Sequence, residues 1–229
     1  MSPIVTIIPA RGGSKGIPSK NIHPIAGVPL ISYSIQHSLG SPSIDHTYVS
    51  TDSEAIATIA EAEGARIIKR PPAISEDTAT SESALIHALE KIETEIGAVS
   101  TVVFLQCTSP IRLPDDIENA IRQFENENAD SLLSVCPVRD FFIWKKINDS
   151  AQSTNYDFKN RKRRQNIEKT YLENGSIYIF KPQLLKETNN RLGGKISFYE
   201  MPFWRSWQID NKVDIPVVEH WLNFRDTLE

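Results

Sequence analysis

Over residues 1–135, short apolar runs alternate with segments of helical spacing, and this alternation restricts the fold more than any other feature of the sequence. Runs at 4–8, 46–50, 65–68, 101–105 and 131–135 read as strands. Between them, 29–38, 54–63, 81–96 and 115–125 read as helices; in the third, Ala84, Leu85, Ala88, Leu89 and Ile92 share one face. Gly64 ends the second helix, and Pro114 followed by two aspartates opens the fourth, where carboxylates suit the positive end of a helix. Strands joined through helices need crossover connections, which run right-handed and leave the strands parallel. The expected fold is α/β: three layers, with a mostly parallel, twisted sheet between helices.

The pattern then breaks. Residues 140–170 are polar and irregular, with a basic cluster at Arg161, Lys162, Arg163 and Arg164. Strands are expected again at 175–180 and 197–201, and a terminal helix at 213–228 despite Pro216 near its start. The chain therefore reads as a single domain, 1–229, with an inserted arm at about 138–170. Phe141, Phe142, Ile143 and Trp144 form an apolar cluster in that arm. Apolar surface among polar residues suits a partner, and a twofold homodimer is the commonest arrangement.

Composition narrows the class. A chain of 229 residues with 40% apolar and 24% charged residues suits a globular domain. A net charge of −4 gives no global basic field for nucleic acid. No stretch approaches the ~20 apolar residues that span a bilayer, and the opening MSPIVTII lacks the charged start of a secretory leader. Cys107 and Cys136 have neither metal-ligand nor disulfide spacing and read as buried thiols, so the expected location is the cytoplasm.

Residues 9–21, PARGGSKGIPSKN, follow the first strand directly. Parallel sheets bind ligands beyond the carboxyl ends of their strands, where this segment must lie. Glycines let backbone amides approach an anion, and Arg11, Lys15 and Lys20 add charge that phosphate oxygens use. Neither the GxxxxGK[ST] phosphate loop nor the GxGxxG dinucleotide fingerprint is present. Taken alone, the segment is also readable as a solvated, charged loop, the weaker of the two readings. Ser109 has no histidine at a motif spacing, so a hydrolytic triad is not expected.

Together with Gly27-Val-Pro-Leu-Ile31, this segment resembles the N-terminal signature of the acylneuraminate (sialic acid-type nonulosonic acid) cytidylyltransferases. Further similarities follow in order: Val49-Ser-Thr-Asp-Ser53, Arg70-Pro-Pro72, Asp77-Thr-Ala-Thr-Ser81, Phe104-Leu-Gln-Cys-Thr-Ser-Pro-Ile-Arg112, Arg163-Arg-Gln165, Glu173-Asn-Gly-Ser-Ile-Tyr178 and Ile209-Asp-Asn-Lys-Val-Asp214. The resemblance implies a Rossmann-like nucleotidyltransferase fold with a small dimerisation insertion. It implies an enzyme that joins CTP to a 2-keto-3-deoxy sugar acid, releasing pyrophosphate and giving a CMP-sugar. On that resemblance Arg11, Lys15 and Lys20 would hold the triphosphate, with Ala10, Gly12, Gly13 and Ser14 shaping the loop around it. Asn21, Ser81 and Arg70 would contact the nucleotide, and Gln106 the sugar hydroxyls. Arg164 is the candidate for the sugar carboxylate, with Arg163 as its rival, and Tyr171 and Asn174 would line the same pocket.

The resemblance also implies Mg2+ or another divalent cation. Many members carry two alternating aspartates before the terminal helix; this chain has Gln208-Ile209-Asp210. Alternate residues of an extended segment share a face, so Gln208 and Asp210 are the candidate metal pair, with one carboxylate replaced by an amide. Arg11, Lys20 and Asp210 are the expected catalytic residues. An eight-carbon (Kdo-like) acid substrate, or a non-catalytic nucleotide-binding homologue, are the alternatives. Arg112 reads either as a functional residue or as a surface cap.

Overall fold

A computed structural model describes residues 2–227 apart from Lys15, Asp77, Arg139, Asp140 and Asp226, and the backbone alone of Arg164. In chain order the elements are β1 (Ile4–Pro9), β2 (Pro24–Ile25), β3 (Val28–Pro29), α1 (Leu30–Leu39), β4 (His46–Thr51), α2 (Glu54–Ala62) and β5 (Arg66–Lys69). They continue with α3 (Ser81–Ile96), β6 (Thr101–Leu105), α4 (Asp116–Asn126), β7 (Ser131–Val138), β8 (Trp144–Ile147) and β9 (Ser150–Ser153). The last are β10 (Thr170–Phe180), α5 (Pro182–Thr188), β11 (Ile196–Glu200) and α6 (Asp214–Arg225).

Seven strands form one sheet in the order β11-β7-β10-β6-β1-β4-β5. Every pairing is parallel except those of β10, which runs antiparallel to both β6 and β7. Apolar side chains of α1, α2 and α4 cover one face and those of α3 and α5 the other. This gives the three layers expected. Central strands covered on both faces must be apolar throughout, and β6 is buried at every position from Thr101 to Leu105. Truncating Leu105, fully buried, to Ala is expected to cost ~2–5 kcal/mol. In β1 the exception is Thr6, whose buried hydroxyl accepts a hydrogen bond from Ser38 Oγ of α1 at 2.7 Å.

The structure corrects three expectations. The region 140–170 is not irregular throughout: β8 and β9 pair as a hairpin. Its two-residue turn, Asn148-Asp149, has φ of 44° and 61°, the backbone that matches a two-residue turn to strand twist. The strand expected at 175–180 begins five residues earlier, at Thr170. Helix α5 was not foreseen. Pro216 lies in the first turn of α6, where a missing N–H removes no helical bond.

β10 and β7 fall out of step. Glu173 pairs Val135 and Tyr178 pairs Leu133, so four residues bulge opposite Ser134 alone. Ser134 fills the bulge: its Oγ donates to Asn174 Oδ1 at 2.6 Å and accepts from Ile177 N at 2.8 Å.

Candidate active site

The strand order reverses between β1 and β6, and in such sheets the crevice opens beyond the carboxyl ends of those strands. A cleft of about 290 Å³ lies there. Its described lining includes Arg11, Gly13, Ser14, Lys20 and Asn21 after β1, Arg70 after β5, Thr80 and Ser81 at the start of α3, and Phe104, Gln106, Cys107 and Thr108 at the end of β6. Two loops far apart in sequence, one after β1 and one after β5, thus bring Arg11, Lys20 and Arg70 together, and no Asp or Glu is among the described lining residues.

The glycine-rich loop is shaped by close approach. Gly12 N donates to Asp52 Oδ1 at 2.8 Å, turning the loop towards the end of β4. A Cβ on Gly16 would stand 2.4 Å from the Asp210 carbonyl oxygen, so only glycine lets this loop lie against the 208–210 segment. Asn21 Nδ2 donates to the Arg11 carbonyl at 3.0 Å and fixes the loop's far end. Lys20 Nζ donates to Asp210 Oδ1 and to the Ile209 carbonyl, each at 3.1 Å. Arg70 is almost wholly buried and donates to Ser50 Oγ at 3.2 Å and to the Ser50 carbonyl at 2.7 Å. Burial draws its pKa below the usual guanidinium value, with Asp52 opposing.

The opposite wall is built on Gly175, at φ 65°, in the bulge of β10. A Cβ there would meet Gln106 Oε1 at 2.5 Å and Gln208 Nε2 at 2.6 Å. Both amides therefore pack against bare backbone. Gln208 Nε2 donates to the Asn174 carbonyl at 3.0 Å, and Thr108 Oγ1 donates to Gln208 Oε1 at 3.3 Å. Ser109 Oγ donates to the Gly175 carbonyl at 3.2 Å, so Thr108 and Ser109 act as turn residues.

Arg112 is not a surface cap. It is fully buried, and its guanidinium donates to Ser34 Oγ at 3.1 Å, the Gln106 carbonyl at 3.0 Å and the Ser176 carbonyl at 2.7 Å. Burial lowers its pKa to about 10, so it stays charged and pins the turn that carries Gln106. Burial pushes the Cys107 thiol up to about 12, which keeps it protonated and poorly nucleophilic at neutral pH.

Of the residues expected at the site, Arg11, Gly13, Ser14, Lys20, Asn21, Arg70, Ser81 and Gln106 meet at this cleft. Ala10 lies beneath it, fully buried, with its N–H on the Ser50 carbonyl. Lys15 and the side chain of Arg164 lie outside the described residues. Asn174 is buried in the bulge, its Nδ2 towards Cys136 Sγ and Met201 Sδ, and reaches the site only through its backbone carbonyl. Tyr171 faces a separate hollow of about 600 Å³ beside Phe141, Phe142 and Tyr156, and its hydroxyl donates to Glu200 Oε1 at 2.6 Å. Ile209 is fully buried, while Gln208 and Asp210 bond the cleft residues Thr108 and Lys20. Sequence reasoning gave no role to Asp52 or Thr80; both sit in motifs it had marked.

A family model described as cytidylyltransferase matches residues 5–209. N-acylneuraminate cytidylyltransferase A of Danio rerio is 37% identical over 220 residues, covering 94% of this chain and 50% of that protein. Post-translational flagellin modification protein B of Campylobacter coli is 32% identical over 225 residues, covering 96% and 94% of the two chains. The chain spans about half the length of several curated relatives it matches, those named N-acylneuraminate cytidylyltransferase. Among solved structures, a CMP:2-keto-3-deoxy-manno-octonic acid synthetase complexed with CTP shares the fold, with a TM-score of 0.71 at 15% identity over 97% of this chain and 99% of that one. With the family model running from β1 to the 208–210 segment, this chain belongs to the cytidylyltransferase family.

Proposed function

We propose that the chain activates a sialic acid-like nonulosonic acid, a nine-carbon 2-keto-3-deoxy sugar acid, with CTP, giving a CMP-sugar and pyrophosphate. The observation that carries this reading is the meeting of Arg11, Lys20 and Arg70 in a cleft whose described lining has no carboxylate. Such a site suits a polyanion, and phosphoryl-type transfer asks for positioning and charge neutralisation more than covalent chemistry. Relatives named for N-acylneuraminate at 35–37% identity favour the nine-carbon acid over the eight-carbon one, whose synthetase shares only the fold.

In this reading Arg11 and Lys20 hold the triphosphate, Asn21 and Ser81 contact the nucleoside, and Gln106 bonds sugar hydroxyls. Arg164 or Arg163 takes the sugar carboxylate. The anomeric hydroxyl attacks the α-phosphorus, its proton is lost, and the bond to the bridging oxygen breaks as pyrophosphate leaves. Among the described residues no group of three or more His, Cys, Asp or Glu could hold a metal. Asp210, exposed and, among the described residues, with one side-chain oxygen bonded to Lys20, still fits a cation that takes its other ligands from phosphate and water. Mg2+ bound there would neutralise phosphate charge. Gln208, with both ends of its amide engaged, braces the wall instead. The exposed Phe141, Ile143 and Trp144 are assigned to a homodimer contact made by the 138–170 arm. No described helix is long and apolar enough to cross a membrane, and the reading places the enzyme in the cytoplasm.

The test is a pyrophosphate-release panel of the four nucleoside triphosphates against eight- and nine-carbon sugar acids, with the product weighed by mass spectrometry. Release with CTP and a nine-carbon acid is expected. Nucleotide binding without magnesium-dependent turnover would instead identify a non-catalytic homologue.

A further inference from the structure

Beyond the groups used above, one charged cluster touches the cleft wall on the β10 side. Arg191, in the loop after α5, lays its guanidinium over the Tyr178 ring, 4.4 Å from the centroid, and 5.6 Å from that of Phe104. The Tyr178 and Phe104 rings stack at 5.3 Å, and Phe104 lines the cleft. Arg191 Nη1 donates to Glu82 Oε1, and Nη2 lies 3.8 Å from Glu173 Oε1, which accepts from the Tyr178 hydroxyl. Glu82 follows Ser81, a lining residue, in the first turn of α3. The side chains of Arg191 and Glu82 are each only 20% exposed.

One guanidinium thus joins three walls: the start of α3 through Glu82, β10 through Tyr178, and β6 through Phe104. A planar, delocalised cation can lie flat on a ring and donate in its own plane at the same time. The cluster is costly as a stabilising device, because Arg191 Nε is buried without a partner and a largely buried ion pair pays for desolvation. Holding a wall in place accounts for it better than stability does.

We infer that Arg191 is a positioning residue for nucleotide binding, clamping the first turn of α3 to β10 and β6 so that Thr80, Ser81 and Phe104 keep their places in the cleft. This rests on the nucleotide reading proposed above. The test is calorimetric titration of the full chain with CTP, for wild type, Arg191→Met, Glu82→Ala and the double variant, with kcat measured at saturating CTP. Each single change is expected to weaken CTP binding about tenfold, and the double change no further than Arg191→Met alone, because each breaks the Arg191–Glu82 pair. The kcat should stay within about twofold, since the contact is not made to the reacting atoms. If Arg191→Met does not fold, Glu82→Ala, which leaves the guanidinium on Tyr178, carries the test. Variants that bind CTP as wild type does, single effects that add, or a loss confined to kcat would overturn the inference. Wild-type protein that binds no CTP would overturn the function reading itself.

Discussion

Lys20 Nζ stands 3.1 Å from Asp210 Oδ1, so the amine assigned to the phosphates is held by the carboxylate assigned to the metal. The two roles are therefore linked. In the proposed reading, a phosphate arriving at Lys20 would loosen its hold on Asp210, and a cation arriving at Asp210 would free the ammonium. A metal carried on a triphosphate would satisfy both at once. The pair itself contributes little to stability, because the Asp210 side chain is 65% exposed and screened by water.

Asp210→Asn should therefore raise the magnesium concentration for half-maximal turnover by about tenfold or more, with an unchanged melting curve. A magnesium titration decides it. An identical titration curve would remove Asp210 from the metal.

Arg11→Ala should lower kcat/KM by about a hundredfold or more, as loss of a charge-stabilising donor does elsewhere. The fold should survive, since the side chain belongs to a loop at the cleft. Steady-state kinetics beside a thermal melt separates the two effects; near-normal activity would strike out the phosphate role.

Gly175→Ala places a methyl group against both Gln106 and Gln208 and forces alanine to φ 65°. The backbone alone should cost about 1–2 kcal/mol, measurable by denaturant melts. Gln106 must also move, so the KM for the sugar acid should rise more than that for CTP. Equal changes in both would place Gln106 away from the acceptor.

Acidification should destabilise the fold through His37. Burial, then the charges of Arg112 and Arg225, depress its pKa from 6.5 to about 3. The unfolded chain binds the proton more readily, so this contribution is complete above about pH 6.5 and is lost as pH falls towards 3. His37→Gln should flatten the stability profile across that window. A profile unchanged by the substitution would show that other groups set it.

What could be read from the sequence followed from packing. β6 and α3 have the bounds expected, because an apolar run buried on both faces and a one-sided helical stripe are local patterns. The β8–β9 hairpin escaped because its residues are largely exposed and show no apolar alternation, although Asn148-Asp149 is a turn signal. α5 escaped because seven residues carry little periodicity. Arg112 was misjudged because arginine is rarely fully buried; here acceptors from α1, β10 and its own turn converge on it, a fact of tertiary structure. The loop at 9–21 was legible because its glycines and cations are contiguous. The opposite wall was not, because Gly175, Gln106 and Gln208 meet only after three separate segments fold.

The reversed direction of β10 has a consequence for how such an enzyme can diversify. Because it enters the sheet from the cleft end, the chain preceding it, rather than the chain following it, is delivered to the rim of the site. In the proposed reading, substitutions in that incoming stretch would remodel what greets the acceptor, while the parallel strands keep the floor of the cleft unaltered.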